Sequence, residues 1–242
     1  TAYEMLRSLV GSEMCIRDSR WFRKLDGKIA VSPAAVSLVS RYFAGYFNII
    51  PNGIDYEHFS GDHQALPEFS DGKFNILFVG RPEKRKGLKF LLRAYLRIKR
   101  QFPETRLIVV GAGDFSRYER IMKPIGDVVF RSNVPYELLP RYHKSAGVVC
   151  CPNTGNESQG YVLMEALAAG RPVVASNIEG FAGVITDQVE GLLVPPKDDE
   201  AIAEAIIRLM KNPALAAGLA SRGQAHSAHY SWDNVAHRVL SY

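Results

Sequence analysis

From residue 74 onward, short runs of continuous apolar residues alternate with longer stretches in which apolar positions recur every third or fourth residue. The runs are "FNILFVG" (74–80), "RLIVVG" (106–111), "DVVF" (127–130), "GVVCC" (147–151), "PVVAS" (172–176) and "GLLVP" (191–195). Their length and β-branched content predict strands. Because they do not alternate with polar residues, both faces should be covered, as in a parallel sheet. Between them, "GLKFLLRAYLRIKRQF" (87–102) places Leu88, Leu91, Leu92, Tyr95 and Ile98 on one helical face. A strand–helix unit repeated about six times predicts an α/β fold built on a doubly wound parallel sheet.

The C-terminal third is predicted to be mostly helical. "DDEAIAEAIIRLMKN" (198–212) begins with acids suited to a helix N-terminus and stops at Lys211-Asn212-Pro213. "PALAAGLASRGQAHSAHY" and "SWDNVAHRVLSY" follow, the second with Ser231 as N-cap. Upstream, "GKIAVS" (27–32) predicts a strand, "PAAVSLVSRYF" (33–43) a helix and "FNIIPNGID" (47–55) a strand ending in a Pro-Asn-Gly turn. The polar, turn-rich stretch around "YEHFSGDHQALPEFSDG" makes 52–73 the expected linker. Residues 20–51 are then expected to end a preceding domain, 74–229 to form the main domain, and 230–242 to form a closing helix. Residues 1–19 lack the h-region and cleavage pattern of a signal peptide. Their "LVGSEMCIRDS" resembles translated adapter sequence, so they are set aside as non-native, which implies a truncated gene.

Composition narrows the chemistry only a little. Apolar content of 47% and charged content of 23% suit a globular protein, and the net charge of +5 suits an anionic ligand or a membrane surface. No apolar run has the length of a membrane span. Cys15, Cys150 and Cys151 form no CxxC or metal-ligand spacing, consistent with a reducing cytoplasm.

The candidate chemistry lies where strands end. After "VVCC", the loop "PNTGNESQG" leads into "YVLMEALAA", with Glu157 before the helix start and Glu165 within it. Ligands of open α/β sheets bind beyond the carboxyl ends of strands, and a helix N-terminus offers unpaired N–H groups. The amides of Gly160, Tyr161 and Val162 are therefore candidates for holding a phosphate. The two glutamates, about 12 Å apart if everything between them were helical, could bracket a diphosphate. Plain surface charge is the alternative. "GRPEKRKGLKF" (80–90) crowds Arg81, Lys84, Arg85 and Lys86 after the first main strand, and Arg81 and Lys86 are candidate diphosphate contacts. The P-loop pattern is absent. "GAGDFS" (111–116) lacks the third glycine of GxGxxG and follows the second strand, which argues against a nicotinamide dehydrogenase. "SNVPYELLPRYHKSA" (132–146) is either a loop near the base or a plain connector.

Taken in order, "IPNGID…F" at 50–59, "GR…KG" at 80–87, "VGAG" at 110–113 and "ESQGYVLMEALAAGRPVVAS" resemble the carboxyl half of retaining family-4 glycosyltransferases of the GT-B fold. The resemblance covers about 27–242 and, within the family, is greatest to the phosphatidylinositol mannosyltransferases. One departure is Gln159, where such enzymes read Glu-x-Phe-Gly. The resemblance implies that 74–229 is a Rossmann-like nucleotide-sugar donor domain. Residues 20–51 would be a remnant of an amino-terminal acceptor domain, and 230–242 a helix returning toward that domain. It implies catalytic roles for Glu157, Arg81 and Lys86, with Glu157 on the donor sugar and Glu165 on ribose hydroxyls. It further implies donor binding by Gly80, Arg81, Lys86, Asn133, Val134, Gly160, Tyr161 and Val162.

The implied reaction moves a sugar, mannose from GDP-mannose, to a lipid such as phosphatidylinositol or to a carbohydrate, with retention. The chain as given is expected not to transfer sugar by itself. Alternatives are a UDP- or ADP-sugar transferase acting on a carbohydrate, or a non-catalytic nucleotide-binding module. No cofactor or essential metal is expected, since Asp198-Asp199 reads as a helix start and not as a DxD site. The expected partners are the nucleotide-sugar donor and the acceptor, with no nucleic acid. The expected location is cytoplasmic, with peripheral contact to the inner face of the cell membrane left open.

Overall fold

A computed structural model of the 242-residue chain describes residue 22, residues 24–40 and residues 42–242. The adapter-like segment 1–19 lies outside the described residues. The main body is a six-stranded, wholly parallel sheet. Residues 24–60 carry β1 (Ile29–Ala30), α1 (Pro33–Val39), β2 (Asn48–Ile49) and α2 (Tyr56–Ser60). The sheet then builds from β3 (Phe74–Val79), α3 (Leu88–Gln101), β4 (Thr105–Gly111), α4 (Ser116–Met122) and β5 (Val128–Ser132). It continues with α5 (Leu139–Ser145), β6 (Val148–Cys151), α6 (Tyr161–Ala168), β7 (Val173–Ser176), α7 (Glu179–Ala182) and β8 (Leu192–Val194). The helices α8 (Asp199–Lys211), α9 (Pro213–Ser227) and α10 (Trp232–Leu240) close the chain.

The strand order is β5-β4-β3-β6-β7-β8. The chain therefore winds outward from β3 in one direction, returns beside β3 as β6, and winds outward in the other. That reversal opens a crevice between the carboxyl ends of β3 and β6, the usual ligand position in doubly wound sheets.

The continuous apolar runs arise because each strand feeds two cores. Ile76 and Phe78 of β3 join Leu107 and Val109 beneath Leu88, Leu91, Tyr95 and Ile98 of α3. Leu77 joins Ile108, Val110 and Val149 on the other face, against Leu163, Met164 and Leu167 of α6. Asp198 caps α8 by accepting from the Glu200 and Ala201 amides at 3.1 and 2.9 Å. Asn212 accepts from the Leu215 amide at 3.0 Å, so the expected stop at Pro213 also starts α9.

Two expectations differ from the fold. The stretch 52–73 is not an open linker. It carries α2, and Ile54, Phe59 and Phe69 are buried, with Phe59 and Phe69 entering the α6-side core. Few apolar residues stand in that polar stretch, but each is placed inward. The strands expected at 27–32 and 47–55 shorten to a two-residue parallel pair, because Pro33 starts a helix and Pro51 lacks an N–H for the ladder. The helices α4, α5 and α7, of four to seven residues, are too short to show a clear period. No described helix is long and apolar enough to cross a membrane.

Candidate donor-binding site

Two loops meet above the crevice. The loop from β3 passes through a 3-10 turn at Lys84–Lys86 to Gly87, whose φ is +72°. A Cβ on Gly87 would stand 1.8 Å from the Pro152 carbonyl oxygen, so only glycine lets the β3 and β6 loops touch here. The Thr154 amide then donates to the Arg85 carbonyl at 2.8 Å.

That contact brings the cations of one loop to the carboxylate of the other. Lys86 Nζ lies 2.7 Å from Glu157 Oε2, Arg85 NH1 lies 3.3 Å from the same oxygen, and Asn153 Nδ2 donates to it at 2.7 Å. The Glu157 and Lys86 side chains are only 14% and 17% exposed, so this pair sits in the wall of the crevice. Arg85 Nε also pairs with Glu83 at 2.8 Å. Arg81, whose side chain is 71% exposed, stands on the rim 3.7 Å from Glu83 and does not reach Glu157.

Glu165 stands half-buried on α6. Burial raises its pKa to about 7, against an opposing pull from Lys86. Lys86 thus influences both carboxylates. Beneath them lies Cys151, whose thiol burial pushes up to about 12, with Lys86 lowering it and Glu157 and Glu165 raising it. The interval from Glu157 to Glu165 is not one continuous helix, contrary to the basis of the 12 Å spacing. Gly160, with φ +84°, turns the chain, and α6 begins at Tyr161. A Cβ on Gly160 would meet the Phe181 ring at 2.3 Å. The amides of Gly160, Tyr161 and Val162 donate to no group among the described residues. They remain available at the helix N-terminus.

The remaining candidates lie around this centre. Gly80 follows β3, and its N–H donates to the Val110 carbonyl at 2.8 Å. Asn133 adopts a left-handed conformation (φ 54°) after β5, and Val134 packs on the α6-side core. Tyr136, three residues beyond Asn133, has its hydroxyl pKa pushed up to about 12 by burial first and then by the Glu165 charge. The Glu165 charge is therefore felt at this loop. Sequence reasoning overlooked Asn153 and assigned Arg85 no role. The available signal was the spacing, since Asn153 stands four residues before Glu157 and Arg85 directly before Lys86.

A parallel sheet that reverses its winding beside a cluster of cations, carboxylates and unpaired helix amides defines an α/β domain suited to an anionic nucleotide. The family model for glycosyl transferases group 1 matches residues 62–226, and the chain belongs to that family. A phosphatidyl-myo-inositol mannosyltransferase of Mycobacterium leprae (strain TN) is 35% identical over 225 residues, covering 91% of this chain and 59% of the relative. A GDP-mannose-dependent alpha-(1-6)-phosphatidylinositol monomannoside mannosyltransferase of Mycolicibacterium smegmatis (strain ATCC 700084 / mc(2)155) is 30% identical over 224 residues, covering 82% of this chain and 58% of the relative. The chain therefore spans under three fifths of the length of these relatives. A solved sucrose-phosphate synthase from Thermosynechococcus elongatus superposes with a TM-score of 0.79 at 26% identity, covering 98% of this chain and 64% of that one. The fold is that of the Rossmann-like half of GT-B glycosyltransferases.

Proposed function

We propose that this chain forms the donor-binding half of a retaining hexosyltransferase that moves mannose from GDP-mannose to a lipid acceptor, phosphatidylinositol. The observation that carries the reading is the meeting of Lys86, Arg85 and Asn153 on the single carboxylate of Glu157, with Glu165 behind them. Glu157 engages Lys86, Arg85 and Asn153 through one carboxylate oxygen. A diphosphate entering the crevice would take over donors from Lys86 and, from the rim, Arg81. The amides of Gly160, Tyr161 and Val162 would face it, and Glu157 would be released toward sugar hydroxyls.

Departure of the diphosphate builds negative charge on its oxygens. Fixed cations and helix amides stabilise that charge without reorganising, and no metal is invoked. Glu165 would accept from ribose hydroxyls, while the backbone at Asn133 and Val134 and the end of β3 at Gly80 would flank the base and phosphates. The names of the two mannosyltransferase relatives support the choice of donor and acceptor. The proposed location is the cytoplasmic side of the membrane, with peripheral contact.

A second reading keeps the fold and replaces the donor with a UDP- or ADP-sugar and the acceptor with a carbohydrate. The likeness to sucrose-phosphate synthase favours it. Competition between GDP-mannose, UDP-glucose and ADP-glucose in calorimetry separates the two. Preference for GDP-mannose is expected, and preference for either of the others moves the assignment to the second reading.

A further inference from the structure

The loop from Glu157 to Gly160 is anchored residue by residue. The Glu157 carboxylate is held by Lys86, Arg85 and Asn153. A Cβ on Gly180 would lie 2.0 Å from the Glu157 carbonyl oxygen, so the loop rests directly on α7. The Ser158 carbonyl accepts from the Ser32 hydroxyl at the start of α1. Gln159 is 2% exposed, and its Oε1 accepts from the Asn52 backbone amide at 2.7 Å. Its Nε2 lies 3.2 Å from the Met164 sulfur, a weak acceptor. Ser32 and Asn52 both precede residues 62–226, the span the family model matches.

A buried side-chain amide is costly unless it is bonded, so Gln159 needs its distant partner. An apolar residue at this position would fill the same space but hold nothing. We propose that Gln159 is a positioning residue for the donor sugar. By tying its loop to Asn52, it fixes the backbone that carries Glu157 and makes the sugar end of the site depend on the position of segment 32–52. The nucleoside end, formed by Asn133, Val134 and Glu165, meets this tether only through the weak contact of Gln159 Nε2 with the Met164 sulfur on α6. The tether is a matter of geometry, and its effect on the sugar rests on the donor-site reading above.

Gln159→Leu keeps the bulk and leaves the Asn52 amide without a partner, whereas Gln159→Glu keeps an oxygen acceptor. Amide hydrogen exchange on the ligand-free chain is expected to quicken at residue 52, whose N–H loses its acceptor in the leucine variant, with β3 and β6 still protected. The glutamate variant should keep the parent pattern. In calorimetry, Gln159→Leu should weaken GDP-mannose about threefold to tenfold more than it weakens GDP, the range of one lost hydrogen bond. Gln159→Glu should restore it. Unchanged exchange in Gln159→Leu would overturn the tether. Equal weakening of GDP and GDP-mannose would overturn the sugar-positioning role. Failure of the parent to bind either nucleotide would overturn the donor-site reading and the sugar role with it, while exchange would still decide the tether.

Discussion

Lys86 Nζ, 2.7 Å from the Glu157 carboxylate, also pulls down the pKa of Glu165 against the burial that raises it. A diphosphate ligand would draw on the same ammonium, and a charged hydrogen bond contributes about 1.5–3 kcal/mol. Lys86→Ala is therefore expected to weaken GDP binding roughly tenfold to hundredfold in calorimetry. Arg81→Ala should weaken it less, since Arg81 is largely exposed on the rim and its charge is screened. Unchanged affinity in both variants would remove the phosphate role. The glutamates should separate by ligand. Glu165→Ala should weaken GDP itself, whereas Glu157→Ala should spare GDP and weaken GDP-mannose. Glu165 also makes a stability prediction. Burial disfavours its charged form, so its folded pKa, about 7, lies above the ordinary 4.5. The associated stability is fully present below 4.5 and is lost as pH rises through about 7. Glu165→Gln escapes that loss. Denaturant titrations should find variant and parent equal near the lower pH, with the variant more stable by up to about 3 kcal/mol above the higher one. A parent equally stable across that range would show that the carboxyl is not desolvated.

At the scale of elements, the site depends on two loops that can approach only because Gly87 has no side chain. Gly87→Ala would put a methyl group 1.8 Å from the Pro152 carbonyl oxygen, at a φ of +72°. The backbone cost alone is about 1–2 kcal/mol, and the clash adds to it. A lowered melting temperature together with weakened GDP binding is expected, because the clash parts Lys86 from Glu157. Parent-like stability and binding would show that the loops have slack. The main strands and long helices were legible in the sequence, because a strand feeding two cores must be apolar throughout and α3 must show one face. The segment 52–73 was not legible, since its few inward apolar residues, Phe59 and Phe69 among them, stand among polar neighbours. In the site, the order of motifs along the chain placed Glu157, Lys86 and Glu165 together. What stayed hidden was a matter of distance: Arg85 and Asn153 join Glu157 because the β3 and β6 loops touch at Gly87, and Arg81 stands exposed on the rim.

For the whole molecule, α10 packs on the first segment of the chain. Ile54 N–H donates to the Tyr230 carbonyl at 2.7 Å, and Arg238 NH2 donates to the Ile49 carbonyl at 3.0 Å. A Cβ on Gly53 would meet the Trp232 ring at 2.4 Å. The same first segment supplies Ser32 and Asn52 to the Glu157 loop, so α10 supports the sugar end of the crevice through two contacts. Removing 231–242 should let a protease cut within 24–52 while 56–227 survives intact. An unchanged cleavage pattern would show that the first segment holds its place without α10. The central claim is that the crevice between β3 and β6 is a nucleoside-diphosphate site organised by Lys86. Its most direct test is calorimetric titration of the 242-residue chain and its Lys86→Ala variant with GDP, UDP and ADP. The account predicts saturable binding of GDP in preference to UDP and ADP, weakened in the variant, and binding of none of the three by the parent chain would contradict it.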